Sequence, residues 1–191
     1  MAHYISKKCT PAYRQLEPGD HIYCQRKGGL YDHHGIYVGD DMVIHLQGKA
    51  KKFRPLQPCQ KCGNKRVING EIAKVCVDCF LDGEILQFYD YGVPFFEFTS
   101  RKRGTCSRRH SKPAGEVIKA AVDFLEGKGF GRYDMFANNC EDFAVYCETG
   151  TAESHQVMGH IRQLTSMSCI GVPVAGAYLL SKAITAAKRR R

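Results

Sequence analysis

No apolar run of signal-peptide length opens this sequence. The first sixteen residues, MAHYISKKCTPAYRQL, are broken by polar and charged side chains every few positions. With nothing to send the chain into an oxidising compartment, a disulfide framework is excluded and a cytoplasmic setting is expected. Nor is there an uninterrupted stretch of about 20 apolar residues, the length a membrane-spanning helix needs. Residues 167–181 carry no charge, but Lys182 interrupts them. Acidic residues are in the minority: 19 Asp and Glu against 28 Lys and Arg leave a net charge of +9, which points to anionic partners. Aromatic residues are absent among the charges of 101–112, RKRGTCSRRHSK, and single-stranded nucleic acid would want them there. A phospholipid surface explains the charge more simply. Hydrophobic residues make up 43% of the 191, so disorder throughout is excluded and one domain with a real core is expected.

Ten cysteines without disulfides each need a catalytic, metal or packing role. Cys59 and Cys62 form one Cys-x-x-Cys, and Cys76 and Cys79 form another. Two such knuckles fold onto one tetrahedral zinc, with Gly63 and Gly83 easing the tight turns. Four sulfurs leave no open coordination position, so the expected ion is structural and stabilises an insertion over residues 55–83. No organic cofactor is expected.

A different cysteine stands in NNCEDFAVYC, residues 138–147. Phe143, Ala144 and Cys147 follow Cys140 at i+3, i+4 and i+7, and Gly150 supplies a stop, so Cys140 opens a short amphipathic helix capped by Asn138 or Asn139. A helix start favours thiolate over thiol. The competing reading is that a free cysteine simply packs, and only a base elsewhere in the chain decides between them. YDHHGIYVGDDMVIHLQG, residues 31–48, alternates as a hairpin around Gly39, Asp40 and Asp41, with DHIYCQ before it as another strand. That loop sets Val38 opposite Met42, Gly35 opposite His45 and His33 opposite Gln47, so His33 and His45 share one face. His34 points the other way and is the weaker candidate.

LEPGDHIY, HHGIYVGDDMVIHL and NNCEDFAVYC resemble, in order and spacing, the three blocks of the lecithin:retinol acyltransferase-like family, which includes small phospholipases that double as acyltransferases. The likeness covers residues 16–150 and is nearest to the plant branch. It implies a permuted papain-like α+β fold of the NlpC type, with an antiparallel sheet and a helix bearing the nucleophile. It also implies roles: Cys140 as nucleophile, His33 as base and His45 as the residue that orients the base. The backbone N–H of Cys140 is the expected oxyanion donor, with Tyr31 as a helper. The chain departs from the family where Asp142 stands in place of a frequent His and His34 in place of an aromatic residue.

The remaining segments read as scaffold and tail. EILQFYDYGVPFFEF is expected to form one or two strands broken at 92–94. GEVIKAAVDFLEG is expected to form a helix with Ile118, Ala121, Val122 and Leu125 on one face, ended by Gly127 and Gly129. Residues 151–191 read as an apolar segment with a basic tail, expected to associate with a membrane; the alternative is an amphipathic or core-packed helix with a solvated basic tail. The leading expectation is a thiol-dependent phospholipid acyl hydrolase or acyltransferase acting at a membrane surface. A papain-like peptidase or amidase and a non-catalytic zinc-containing interaction module are the alternatives.

Overall fold

Alternation in β1 (His21–Arg26), β2 (Tyr31–Gly39) and β3 (Met42–Leu46) makes each strand two-faced, and the two faces meet different helices. This computed structural model describes residues 14–26, 28–48, 57–64, 70–128 and 139–151. Five antiparallel strands run in the order β4-β3-β2-β1-β5, with β4 (Ile72–Cys76) and β5 (Leu86–Phe88) at the edges. On one face Ile36, Ile44 and Leu46 pack against Val117 and Ala121 of α3 (Ala114–Leu125) and against Phe143, Ala144 and Cys147 of α4 (Cys140–Thr149). On the other face Ile22, Cys24, Val43 and Val75 meet Val77, Phe80 and Leu81 of α1 (Val77–Leu81). Each large apolar side chain buried in this way contributes about 1.5–3 kcal/mol.

The hairpin turn differs from the three-residue loop expected. Asp40 and Asp41 alone form it, both at positive φ (50° and 60°), and a bulge between Tyr37 and Gly39 absorbs the extra residue. Tyr37 therefore pairs with Val43 and Ile36 with Ile44. The segment after 92–94 is a helix rather than a strand: α2 (Phe95–Ser100) starts directly after Pro94, because proline suits the edge of a helix and cannot continue a ladder. In α3 the buried positions are Val117 and Ala121, so its inner face is turned about one residue from the expected one. The helix that starts at Cys140 is not amphipathic, since eight of its ten residues are buried between the sheet, α3 and the loop after α2.

Among the described residues no helix is long and apolar enough to cross a membrane. The expected tail from residue 152 onward, the Asn138 cap and the Gly129 stop lie outside the described residues.

Candidate active site

The residues around His33 owe their geometry to a glycine. A Cβ at Gly35 would lie 2.7 Å from Val43 Cγ1, 2.9 Å from Phe80 Cε2 and 3.1 Å from His45 Cβ, so only a hydrogen fits beneath the two imidazoles. In that space His33 Nε2 and His45 Nδ1 lie 2.8 Å apart, with the rings perpendicular at 89°. Burial holds both rings down. His33 is pushed well below 6.5, with His45 and Arg26 adding to the effect, and His45 falls to about 3, with Arg26 again contributing. Both are neutral at physiological pH, and a neutral imidazole can accept a proton.

Cys140 begins α4, and the helix start is firmly closed. The Asn139 side chain accepts from the Asp142 N–H at 3.0 Å, and the Asp142 carboxylate accepts from the Asn139 N–H at 3.3 Å, which is a capping box. The thiol donates to the carbonyl of Asp32 at 3.7 Å, and the backbone N–H of His34 also points at the sulfur. Both groups belong to peptide units that flank His33. No hydrogen bond joins the sulfur to either imidazole among the described residues. Tyr31 opens β2, partly exposed; burial raises its phenol, and the neighbouring Cys140 raises it further.

The expectation of a lowered thiol pKa at the helix start is overturned. Burial pushes Cys140 up to about 12, outweighing the N–H groups of His34, Glu141 and Cys140 itself, which favour the anion. Cys140 is only 5% exposed, and desolvation of a thiolate exceeds what the helix terminus returns. The resting state is a thiol against the backbone that flanks His33, with the rings of His33 and His45 neutral.

On the opposite face of β2 lies a second polar chain that sequence reasoning passed over. His34 Nδ1 lies 2.9 Å from His21 Nε2, and His21 Nδ1 lies 2.8 Å from the Tyr91 hydroxyl. Parity was the available signal, since the pairing of His34 with Tyr23 puts His21, Tyr23 and His34 on one face. Asp32, fully buried, takes both carboxylate bonds from Lys102 at 2.8 Å.

The four cysteines of the two knuckles converge. Their sulfurs all lie within 4.8 Å of one another, with Cys59 and Cys76 3.9 Å apart and Cys62 and Cys79 3.7 Å apart. A tetrahedral ion with metal–sulfur bonds of about 2.3 Å spaces its ligands about 3.8 Å apart, so the set fits a metal ion of that kind. The N–H groups of Cys62 and Lys61 draw the Cys59 thiol down to about 6, whereas burial raises the Cys76 and Cys79 thiols. Cys76 closes β4 and serves as the N-cap residue of α1, so the cluster is built onto the sheet edge.

A family model described as lecithin retinol acyltransferase matches residues 14–153, which takes in the strands, the cysteine cluster and α4. The chain belongs to that family. Among its relatives, protein LEAD-SENSITIVE 1 of Arabidopsis thaliana is 37% identical over 178 residues, covering 84% of this chain and 67% of its own. Lecithin retinol acyltransferase of Homo sapiens is 29% identical over 139 residues, covering 65% of this chain and 51% of its own. Phospholipase A and acyltransferase 2 of Homo sapiens is 27% identical over 173 residues, covering 91% of this chain and 93% of its own. The chain thus spans about half the length of the human lecithin retinol acyltransferase and nearly all of the phospholipase. The plant relative has the highest identity of the three, in line with the plant-branch resemblance.

Proposed function

We propose that this chain is a thiol-dependent phospholipid acyl hydrolase or acyltransferase working through an acyl-thioester on Cys140. The observation that carries the reading is the placing of the Cys140 sulfur against the two peptide units that flank His33, while His33 is itself bonded to His45. His33 Nδ1 accepts the thiol proton as the sulfur attacks the ester carbonyl. The ester C–O bond breaks, the departing lysophospholipid oxygen takes the proton from His33, and the acyl group stays on sulfur. Water or an amine then attacks the thioester, gives its proton to His33, and the thiol re-forms. For this work the His33 Nε2–H must donate to His45 Nδ1, which leaves Nδ1 of His33 free. His45 thereby orients the base. The backbone N–H of Cys140 is the oxyanion donor, with Tyr31 assisting.

The working unit in this reading is residues 16–150 in a permuted papain-like arrangement. One zinc on Cys59, Cys62, Cys76 and Cys79 stabilises the segment 55–83, and residues 151–191 associate with the membrane. Zinc closed by four thiolates would have no open position for substrate and would act as a structural ion. A membrane-facing role for the loop after β5 draws on α2, where Phe95 and Phe96 are exposed, Phe96 at 84%, and the Arg108 guanidinium sits 5.4 Å over the Phe95 ring. Exposed aromatic side chains beside an arginine suit the headgroup region of an anionic bilayer.

The test is incubation of the purified chain with mixed phospholipid vesicles, with and without an amine acceptor, followed by intact-mass measurement. An acyl-sized mass gain on the chain that disappears in Cys140→Ala supports the reading. Hydrolysis of peptide amides with phospholipids untouched would transfer the site to a peptidase, and no covalent intermediate on any substrate would leave an interaction module.

A further inference from the structure

The geometry points to Phe80 as a positioning residue that couples the four-cysteine metal site to the His33–His45 pair, so that loading of the metal governs the base. The inference rests on the proposed acyl-transfer role of those histidines. Phe80 follows Cys79 directly in α1. Its ring is fully buried, stacks on His33 with centroids 5.1 Å apart and planes at 27°, and meets His45 edge-on at 5.5 Å and 83°. One side chain thus touches both imidazoles, and Gly35 leaves the space in which the three rings meet.

What holds Phe80 there is a helix of five residues, Val77–Leu81, far below the length at which a helix stands in water. Its two ends must be held from outside. At the C-terminal end the Arg26 guanidinium donates to the carbonyls of Phe80 and, at 2.6 Å, Leu81, where a cation also complements the helix dipole. At the N-terminal end the Cys76 side chain makes no capping bond. That first turn is held by the Val77 N–H, which donates to the Asp41 carbonyl at 2.9 Å, by Lys61 on Asp78 at 3.2 Å, and by the sulfurs of Cys76 and Cys79, which face Cys59 and Cys62 across 3.9 and 3.7 Å. With a metal ion bound, those sulfurs pin the turn; without it, they are thiols in mere contact. Loss of the ion leaves the turn on the Val77–Asp41 bond, the Lys61–Asp78 pair and its buried side chains, and so loosens the contacts of Phe80 with the two histidines. A cluster with no catalytic position of its own would in this way regulate the reaction centre.

The test uses the full chain purified with zinc, its metal content measured, beside the same chain stripped by a chelator under reducing conditions and beside zinc-loaded Phe80→Leu and Phe80→Ala. Two readouts precede any assay of turnover. Long-range 1H–15N spectra report the tautomers of His33 and His45, and peptide mass spectrometry follows alkylation of Cys140 by iodoacetamide at neutral pH. Stripping and Phe80→Ala should each replace the fixed tautomer pattern by an averaged one and slow Cys140 alkylation about tenfold or more. Phe80→Leu should keep most of both. Methyl signals from the α3–α4 core should stay unchanged in the zinc-loaded variants, which separates loss of positioning from loss of fold. The coupling is overturned if the chain binds no zinc, or if stripped protein or Phe80→Ala keeps the wild-type pattern and rate. A metal-dependent histidine pattern in a chain that never captures acyl groups would sustain the coupling and sink the substrate reading instead.

Discussion

The thiol of Cys140 donates to the carbonyl oxygen of Asp32, 108 residues earlier in the chain and immediately before His33. The position of the sulfur is thus set by the backbone of the strand that carries the proposed base. With burial holding the thiol near 12 and His33 neutral, the proton has to move during the reaction.

Removal of Cys140 should abolish acyl capture. His33→Ala should lower turnover on the order of 100-fold or more, since a thiol of such high pKa offers almost no thiolate unaided. His45→Ala should cost less, because His45 orients the base. Single-turnover kinetics on phospholipid vesicles measure all three, and an active Cys140→Ala would end the acyl-thioester mechanism.

Metal analysis of protein purified without chelator should find one zinc per chain. Cys76→Ser removes a ligand that is also the last residue of β4, and it should lower both the zinc content and the thermal midpoint. An unchanged midpoint with no zinc in the wild type would leave the four cysteines as packing residues.

Gly35→Ala should destabilise the fold by about 1–3 kcal/mol, the usual cost of overpacking. The added methyl would meet Val43 at 2.7 Å and Phe80 at 2.9 Å. Denaturant unfolding gives the value directly, and a midpoint equal to wild type would show that the three-ring contact is looser than described.

Acid should unfold the protein early. Burial holds His21 and His45 at about 3 and keeps His33 and His34 well below 6.5. Below 6.5 the unfolded chain binds protons that the folded one refuses, so stability is complete above about 6.5 and falls as the pH drops toward 3. Each such histidine adds a slope of about 1.4 kcal/mol per pH unit in that window. Urea midpoints between pH 7 and 4 test this, with a shallower slope expected for His34→Phe; a flat limb in the wild type would contradict the burial of these rings.

Phe95→Ser with Phe96→Ser should weaken binding to vesicles containing anionic lipid and leave the thermal midpoint close to wild type, because both rings are exposed. Truncation after Ser166 isolates the contribution of the tail. Vesicle co-sedimentation at low and high salt separates the apolar from the screened electrostatic part.

Several of these features were legible in the residues themselves. Period-two alternation fixed the faces of β2 and β3, and i+3/i+4 spacing marked the helix beginning at Cys140. Paired Cys-x-x-Cys spacing brought four distant sulfurs together. What escaped depended on surroundings that a linear pattern does not contain. The turn tightened because two aspartates accepted positive φ and a bulge took up the remaining residue. Pro94 opened a helix where aromatic content argued for a strand. Helix-terminus logic for Cys140 pointed to a thiolate, yet the depth of burial, unknown until the sheet and helices close over the sulfur, reversed the sign.

The ladder between β2 and β3 ends at the pair Ile36 and Ile44, although β3 runs on to Leu46 beside β4. Tyr37 turns its N–H toward Asp20 on the β1 side, so the even-numbered residues of β2 turn theirs the opposite way, and beyond Ile36 those groups have lost their strand partner. Cys140 takes that place, with its sulfur on Asp32 and His34. The proposed nucleophile is wedged into the fork of an unzipped sheet, held by the backbone of a strand. Any change that zips the fork further, by joining His34 to Leu46, would evict the sulfur without altering a single residue of the proposed triad.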